Sequence, residues 1–358
     1  MATGGALAVA SAVAFGATTP FVQRFGRGIG PFVTAALLYG GAASFASVAS
    51  AASRVFARPT GQKPADLRIG DLPRLASVAA LGAVVAPVAL AWGLQRISGV
   101  AASMLLNLEA VFTVLLARAL WSEPIGGRAG IALLAMTAGG ALLIAIGASG
   151  TGAAGLASSV GWGALAVVLA TLAWAADNTV GRPLSDRDPL RVVLAKGAMG
   201  ALAAVGLASA FGERWPSAPA VRAMGLLAAC GAVGYGASLA LYLRAQRVIG
   251  AARTGSIFAA APFVGAAIAW ALGERVAFAA TLGAGALFVV GLWLHLTESH
   301  GHPHFHEAIA HDHAHSHDDA HHDHHPEGPL APHSHPHRHE ATTHAHPHGL
   351  DVHHRHRH

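Results

Sequence analysis

The sequence predicts an all-α membrane protein of ten transmembrane helices, arranged as two inverted five-helix repeats and followed by a disordered His-rich C-terminal tail. Three observations predict it. Of 358 residues, 53% are hydrophobic and only 11% charged, whereas a soluble domain carries about 25% charged residues. Charge-free windows recur at the length a bilayer requires, about 20 residues. All 24 histidines lie from His295 onward. These features exclude a soluble enzyme, a nucleic-acid binder or a disordered protein as a description of the whole chain.

The windows without Asp, Glu, Lys or Arg are 1–23, 28–53, 75–95, 129–176, 223–243, 254–273 and 276–297. Two more, 97–117 and 192–212, hold one charge each, Glu109 and Lys196. The long window divides at the Gly-rich stretch 147–152, a turn signal, which brings the helices to ten. A soluble helix would show one charged face; these segments are apolar all round. Residues 2–14 lack the basic n-region of a signal peptide, so the first window reads as an uncleaved helix. A lone Cys230 permits no intrachain disulfide.

Charge sets the expected orientation. Residues 1–294 carry 20 Lys/Arg against 9 Asp/Glu. With the N-terminus inside, 13 of the basic residues fall in inner loops and 6 in outer loops, as the positive-inside tendency requires. Both termini are then cytoplasmic and the protein is a multi-pass component of the cell (inner) membrane, with lipid as its surroundings. Trp92, Trp121, Trp162, Trp215, Trp270 and Trp293 stand near predicted helix ends, the place of an interfacial belt.

Residues 89–123 align without gaps on 240–274, with matches that include Gln95/Gln246, Arg96/Arg247, Phe112/Phe263 and Glu123/Glu274. Ala14-Phe15-Gly16-Ala17 likewise resembles Ala173-Trp174-Ala175-Ala176. The first half is expected over 1–147 and the second over 148–298. Five helices per half is odd, so the second copy enters from the opposite side, the inverted arrangement of many secondary transporters.

The segments Gly93-Leu-Gln-Arg-Ile-Ser-Gly-Val-Ala-Ala-Ser103, Leu108-Glu-Ala-Val-Phe112 and Ser122-Glu123 resemble the first repeat of the EamA family, in the drug/metabolite transporter superfamily. Tyr242-Leu-Arg-Ala-Gln-Arg-Val-Ile-Gly-Ala-Ala252, Ala261-Pro-Phe263 and Leu272-Gly-Glu-Arg275 resemble the second. The resemblance spans about residues 1–297. It implies a permease for small metabolites working by alternating access, and marks Glu123 and Glu274 as family-typical, here read as loop or interface residues. The sequence departs from the family pattern at Ala110, where a proline is usual, and at Ala260, which stands opposite Glu109.

Candidate substrate or coupling residues are the polar side chains inside spans, which are costly there and so point to function. Glu109, with Asn107 nearby, lies near the middle of the fourth span. It either contacts a cationic or amine-bearing substrate, or carries a proton, or makes a structural hydrogen bond or ion pair. Asp177 and Asn178 end the sixth span and Lys196 enters the seventh, at depths that permit an Asp177–Lys196 salt bridge. Pro20, Pro87 and Pro262 could kink their helices and free carbonyls toward a cavity. No Walker sequence and no HExxH occur, so neither an ATP-driven pump nor an enzyme is expected, and no cofactor is required.

The tail, 299–358, is a tandem repeat: 300–325 matches 333–358 at 13 of 26 positions. Its alternating histidines are candidate ligands for Zn²⁺, Ni²⁺ or Co²⁺, since neutral imidazole suits these ions. They are His302, His304, His306, His311, His313 and His315, with His335, His337, His339, His344, His346 and His348. Three functions remain at this stage: a metabolite permease with a metal-binding cytoplasmic tail, a divalent metal transporter fed by the tail, and a non-transporting membrane metal sensor. A homodimer is compatible with each; a nucleic-acid partner is not expected.

Overall fold

The computed structural model describes residues 2–56, 65–121, 125–149, 154–217, 220–274, 277–297, 301–306, 310–315, 333–338 and 342–347. Up to residue 297 it is helical. The first half comprises α1 (Ala2–Phe25), α2 (Pro31–Phe56), α3 (Leu72–Val78), α4 (Ala86–Leu94), α5 (Gly99–Leu105), α6 (Leu108–Trp121) and α7 (Gly127–Ser149). The second comprises α8 (Ala154–Gly181), α9 (Pro189–Ala210), α10 (Val221–Cys230), α11 (Ser238–Ile249), α12 (Ala251–Phe258), α13 (Ala261–Ala271) and α14 (Phe278–Leu296).

Among the described residues, nine segments are long and apolar enough to cross a bilayer. The tenth expected span is α14, whose apolar stretch Thr281–Leu294 is shorter. The outer surface is what a lipid-facing protein requires: Val48, Leu134, Leu202 and Trp293 are all more than half exposed, a density of exposed apolar side chains that water would not tolerate. Inside lipid every backbone polar group needs an internal partner, which only helices supply within one segment.

Loops and helix starts follow local chemistry. Gly28 turns the chain between α1 and α2 with φ of 77°, a conformation that favours glycine. Asp188 caps α9 by accepting from the backbone N–H groups of Leu190 and Arg191, with Pro189 at the first turn. Ser98 caps α5 by accepting from the Ala101 N–H.

Several spans are interrupted, and the interruptions occur in pairs. A π-helical stretch, Ala79–Val85, joins α3 to α4, and another, Gly231–Ala237, joins α10 to α11. A turn at 106–107 separates α5 from α6, and one at 259–260 separates α12 from α13. The pairs lie 152 and 153 positions apart, close to the sequence repeat. The fourth span is therefore two helices instead of the expected one. Its break is stabilised by Asn107, whose side-chain amide donates to the Met104 carbonyl at 3.0 Å, a local bond that competes with helix continuation. The ninth span breaks just before Pro262, which occupies the first turn of α13. Pro20, in contrast, lies within an unbroken α1.

The two halves interleave. Helix α1 packs on α11 and α13, α2 on α9 and Gly231–Ala237, α4 and α6 on α8, and α7 on α14. Small residues permit this closeness: a Cβ on Gly231 would fall inside the backbone of Leu38, the type of contact that membrane helices use. Ser11 and Ser238 fasten α1 to α11, each hydroxyl donating to the other's carbonyl at 2.8 and 2.9 Å.

The expected disordered tail differs in four described segments. They are strands β1 (Gly301–His306), β2 (Ala310–His315), β3 (His333–Arg338) and β4 (Thr342–Pro347). They form two separate antiparallel pairs, β1 with β4 and β2 with β3. The duplication accounts for this, since each copy supplies a partner for the other. Of the candidate ligands, His339 and His348 lie outside the described residues.

Candidate functional site

The polar residues singled out in the spans converge through the π-helical stretch of the third span. There, the Ala86 N–H donates five residues back, to the Leu81 carbonyl. The next residue, Pro87, has no N–H to give. The Gly82 carbonyl is thus released from the helix ladder, as expected of carbonyls near this proline. It accepts instead from two side chains of other helices, the Tyr39 hydroxyl and the Trp174 indole N–H, the latter at 3.1 Å.

Gly82 also leaves room for charge. A Cβ there would lie 2.1 Å from Asp177 Oδ2 and 2.8 Å from Lys196 Nζ. The vacated space holds an ion pair: Lys196 Nζ donates to Asp177 Oδ2 at 2.5 Å, joining α8 to α9. Both residues are buried, Asp177 only 4% and Lys196 only 6% exposed. A second polar pair joins the halves, where the Asn178 amide donates to Glu109 Oε1 at 2.6 Å. Glu109 stands in the first turn of α6, just past the helix break, where the N-terminal end of the helix dipole favours an anion.

Both pairs border one cavity. Its walls come from both halves: Phe15, Tyr39 and Glu109 from the first, and Trp174, Asp177, Asn178, Lys196, Gly234, Tyr235, Ser238, Leu239, Tyr242 and Phe258 from the second. Phe15 meets Trp174 and Tyr235 edge-on, each with ring centroids 5.7 Å apart, and Tyr242 meets Phe258 at 5.1 Å.

Four of the five candidate residues therefore share one cavity: Glu109, Asp177, Asn178 and Lys196. Asn107 is the exception; it is buried at the α5–α6 break and satisfied by its own turn. The ring-bearing wall was not foreseen from sequence. A signal was available, for the chain has only three tyrosines and all three line the cavity. Tyrosine in a span is expected at its interfacial ends, so Tyr39 and Tyr235, in the middle of apolar windows, are out of place.

The cross-half contacts at the two ends of the bundle have different chemistry. At one end Arg187 holds Asp71 through two bonds, of 2.9 and 3.3 Å, and within the second half the Arg187 carbonyl accepts from Arg247. At the other, Glu274 accepts from the Val100 N–H at 3.1 Å and Glu213 from the Phe32 and Val33 N–H groups. Glu274 is thus an interface residue, whereas Glu123 lies outside the described residues. Among the described side chains no group of three His, Cys, Asp or Glu could hold a metal ion; the side chains of the tail histidines lie outside that set.

Comparison with known proteins fits this architecture. A solved structure titled only as a crystal structure of a protein superposes with a TM-score of 0.56 at 18% identity, covering 82% of this chain and 96% of the other. That likeness is one of fold. No curated protein matches. The sequence model of the EamA-like transporter family matches twice, over residues 2–145 and 161–297, once in each half. The chain is a multi-pass membrane protein that belongs to the EamA-like transporter family.

Proposed function

We propose that the protein is a cell-membrane secondary transporter for small amine-bearing metabolites, working by alternating access between two inverted five-helix halves, with ten spans and both termini cytoplasmic. One observation carries the reading: the central cavity holds two carboxylates, Glu109 and Asp177, against one ammonium, Lys196, within a wall of aromatic rings. The formal balance of −1 suits a cation. Lys196 already satisfies Asp177, which leaves Glu109 as the carboxylate for cargo. The rings add cation–π attraction and an apolar seat for the rest of the molecule. Glu109 and its donor Asn178 come from opposite halves, so a relative movement of the halves changes this site. That coupling is what alternating access needs.

The tail binds Zn²⁺, Ni²⁺ or Co²⁺ as a regulator or buffer. Metal as the cargo is disfavoured because no histidine precedes His295, and a path for such ions needs ligands.

The test is flux of a panel of small amines, neutral metabolites and Zn²⁺ into proteoliposomes. Amine flux is expected, at an undiminished rate in a chain ending at Glu298, and lost in Glu109→Gln. Unaltered amine flux in Glu109→Gln removes the role assigned to that carboxylate. Flux of Zn²⁺ in place of amines overturns the cargo, and movement of no solute at all favours a sensor.

A further inference from the structure

The strand register of the tail places histidine opposite histidine, and does so twice in an equivalent way. In the first ribbon His302 faces His346 and His304 faces His344. In the second His313 faces His335 and His311 faces His337, and a third pair, His315 with His333, continues the row. Moving the first set by the 33-residue repeat converts 302 and 304 into 335 and 337. Moving 346 and 344 back by the same amount gives 313 and 311. The two ribbons are therefore the same object built reciprocally, each from the first strand of one copy and the second strand of the other.

The backbone geometry turns this register into a ligand set. Alternate residues of a strand share a face, roughly 6.6 Å apart, and directly opposed residues have Cβ atoms about 4.5–5.5 Å apart. His302, His304, His344 and His346 thus occupy one face of the first ribbon, with His306 beside them. His311, His313, His335 and His337 occupy one face of the second, with His315 and His333 beside them. Four histidine positions in such a register match the number and kind of ligands that a tetrahedral zinc ion takes.

Stability points the same way. A lone two-stranded ribbon is at best marginal in water, and these strands offer little apolar surface. Pro303 and Pro336 take equivalent places in β1 and β3 and remove a backbone donor from each. Metal binding supplies the missing free energy, because a bound ion stabilises the fold that assembles its ligands.

We propose that each ribbon is a four-histidine site for a divalent transition metal, shared between the two copies of the tandem repeat, so that metal closes the tail on itself. The proposal rests on the reading of the tail as metal-binding and adds its architecture: two equivalent sites, neither contained in one copy.

A crossed pair of variants tests it, using the full chain, one per nanodisc, titrated with Zn²⁺ against a competing chelator. The first variant replaces His302, His304, His306, His344 and His346 by Ala, removing the histidines of one ribbon face. The second replaces His302, His304, His311, His313 and His315, removing the same number of histidines from one copy only and leaving three on each face. The wild type is expected to bind two Zn²⁺ tightly, the first variant one at unchanged affinity, and the second none within tenfold of it. Zn²⁺ should also slow amide exchange across 301–306 and 342–347 in the wild type and not in the second variant. Retention of one tight ion by the second variant and none by the first, or equal loss in both, overturns the shared site. If the wild type binds no more Zn²⁺ than a chain ending at Glu298, the metal-binding reading fails and the proposal with it.

Discussion

Lys196 Nζ lies 2.5 Å from Asp177 Oδ2, and both side chains are more than nine-tenths buried. Removing one partner leaves an uncompensated charge, which costs about 3–5 kcal/mol in protein interiors, whereas replacing both is far milder. Lys196→Met and Asp177→Asn should each lower the thermal unfolding midpoint in detergent, and the double variant should recover most of the loss. A double variant no more stable than either single would show that the pair's charges are not what makes these residues indispensable.

The Glu109–Asn178 bond differs, because Asn178 is exposed to the cavity. Asn178→Ala removes the donor with little packing lost. A hydrogen bond to a charged group is worth about 1.5–3 kcal/mol when well buried, and less where water competes. We expect a rise of about three- to tenfold in KM for the best-transported amine, with the unfolding midpoint held within a degree or two. An unaltered KM would separate Asn178 from cargo recognition.

Gly82 is a position where a methyl group has nowhere to go, since its Cβ would press on the ion pair. Overpacking of this kind costs about 1–3 kcal/mol. Gly82→Ala should destabilise the protein and reduce transport. Gly206→Ala, in α9 with open space at its Cβ, should be neutral or slightly stabilising, as expected in a helix. Equal midpoints for the two variants would contradict the crowding at Gly82.

How much of this was legible in advance depends on the physics behind each residue. Spans and loops were readable because bilayer burial acts on composition over about 20 residues, and the sequence of charge-free windows reports it directly. Glu109, Asp177 and Lys196 were readable because charge is rare there. Their pairing was only partly so. The Asp177–Lys196 bond follows from equal depth in neighbouring antiparallel helices, but Asn178 reaching Glu109 depends on the break at 106–107, which the apolar run around Asn107 conceals. The π-helical stretches left no clear sequence mark apart from Pro87. The paired tail strands were hidden because register is a long-range property; the period of two in the histidines was visible, while its partner strand was not.

The Asp71–Arg187 pair supports a final prediction about movement. It joins the two halves at one end of the bundle, with side chains 9% and 17% exposed, and Asp71 also accepts from the Arg68 N–H at 2.8 Å. The opposite end is held by carboxylates on backbone N–H groups at helix starts, which do not depend on any arginine. Arg187→Ala should therefore loosen one end only. With Cys230→Ser as background and Leu239→Cys as a reporter in the cavity wall, a membrane-impermeant thiol reagent should react several-fold faster from the Arg187 side. Its rate from the other side should be unchanged. Arg187→Lys, which keeps the charge and loses the two-bond grip, should fall between. A reporter whose reactivity does not depend on residue 187 from either side would show that this ion pair does not restrain the opening of the cavity.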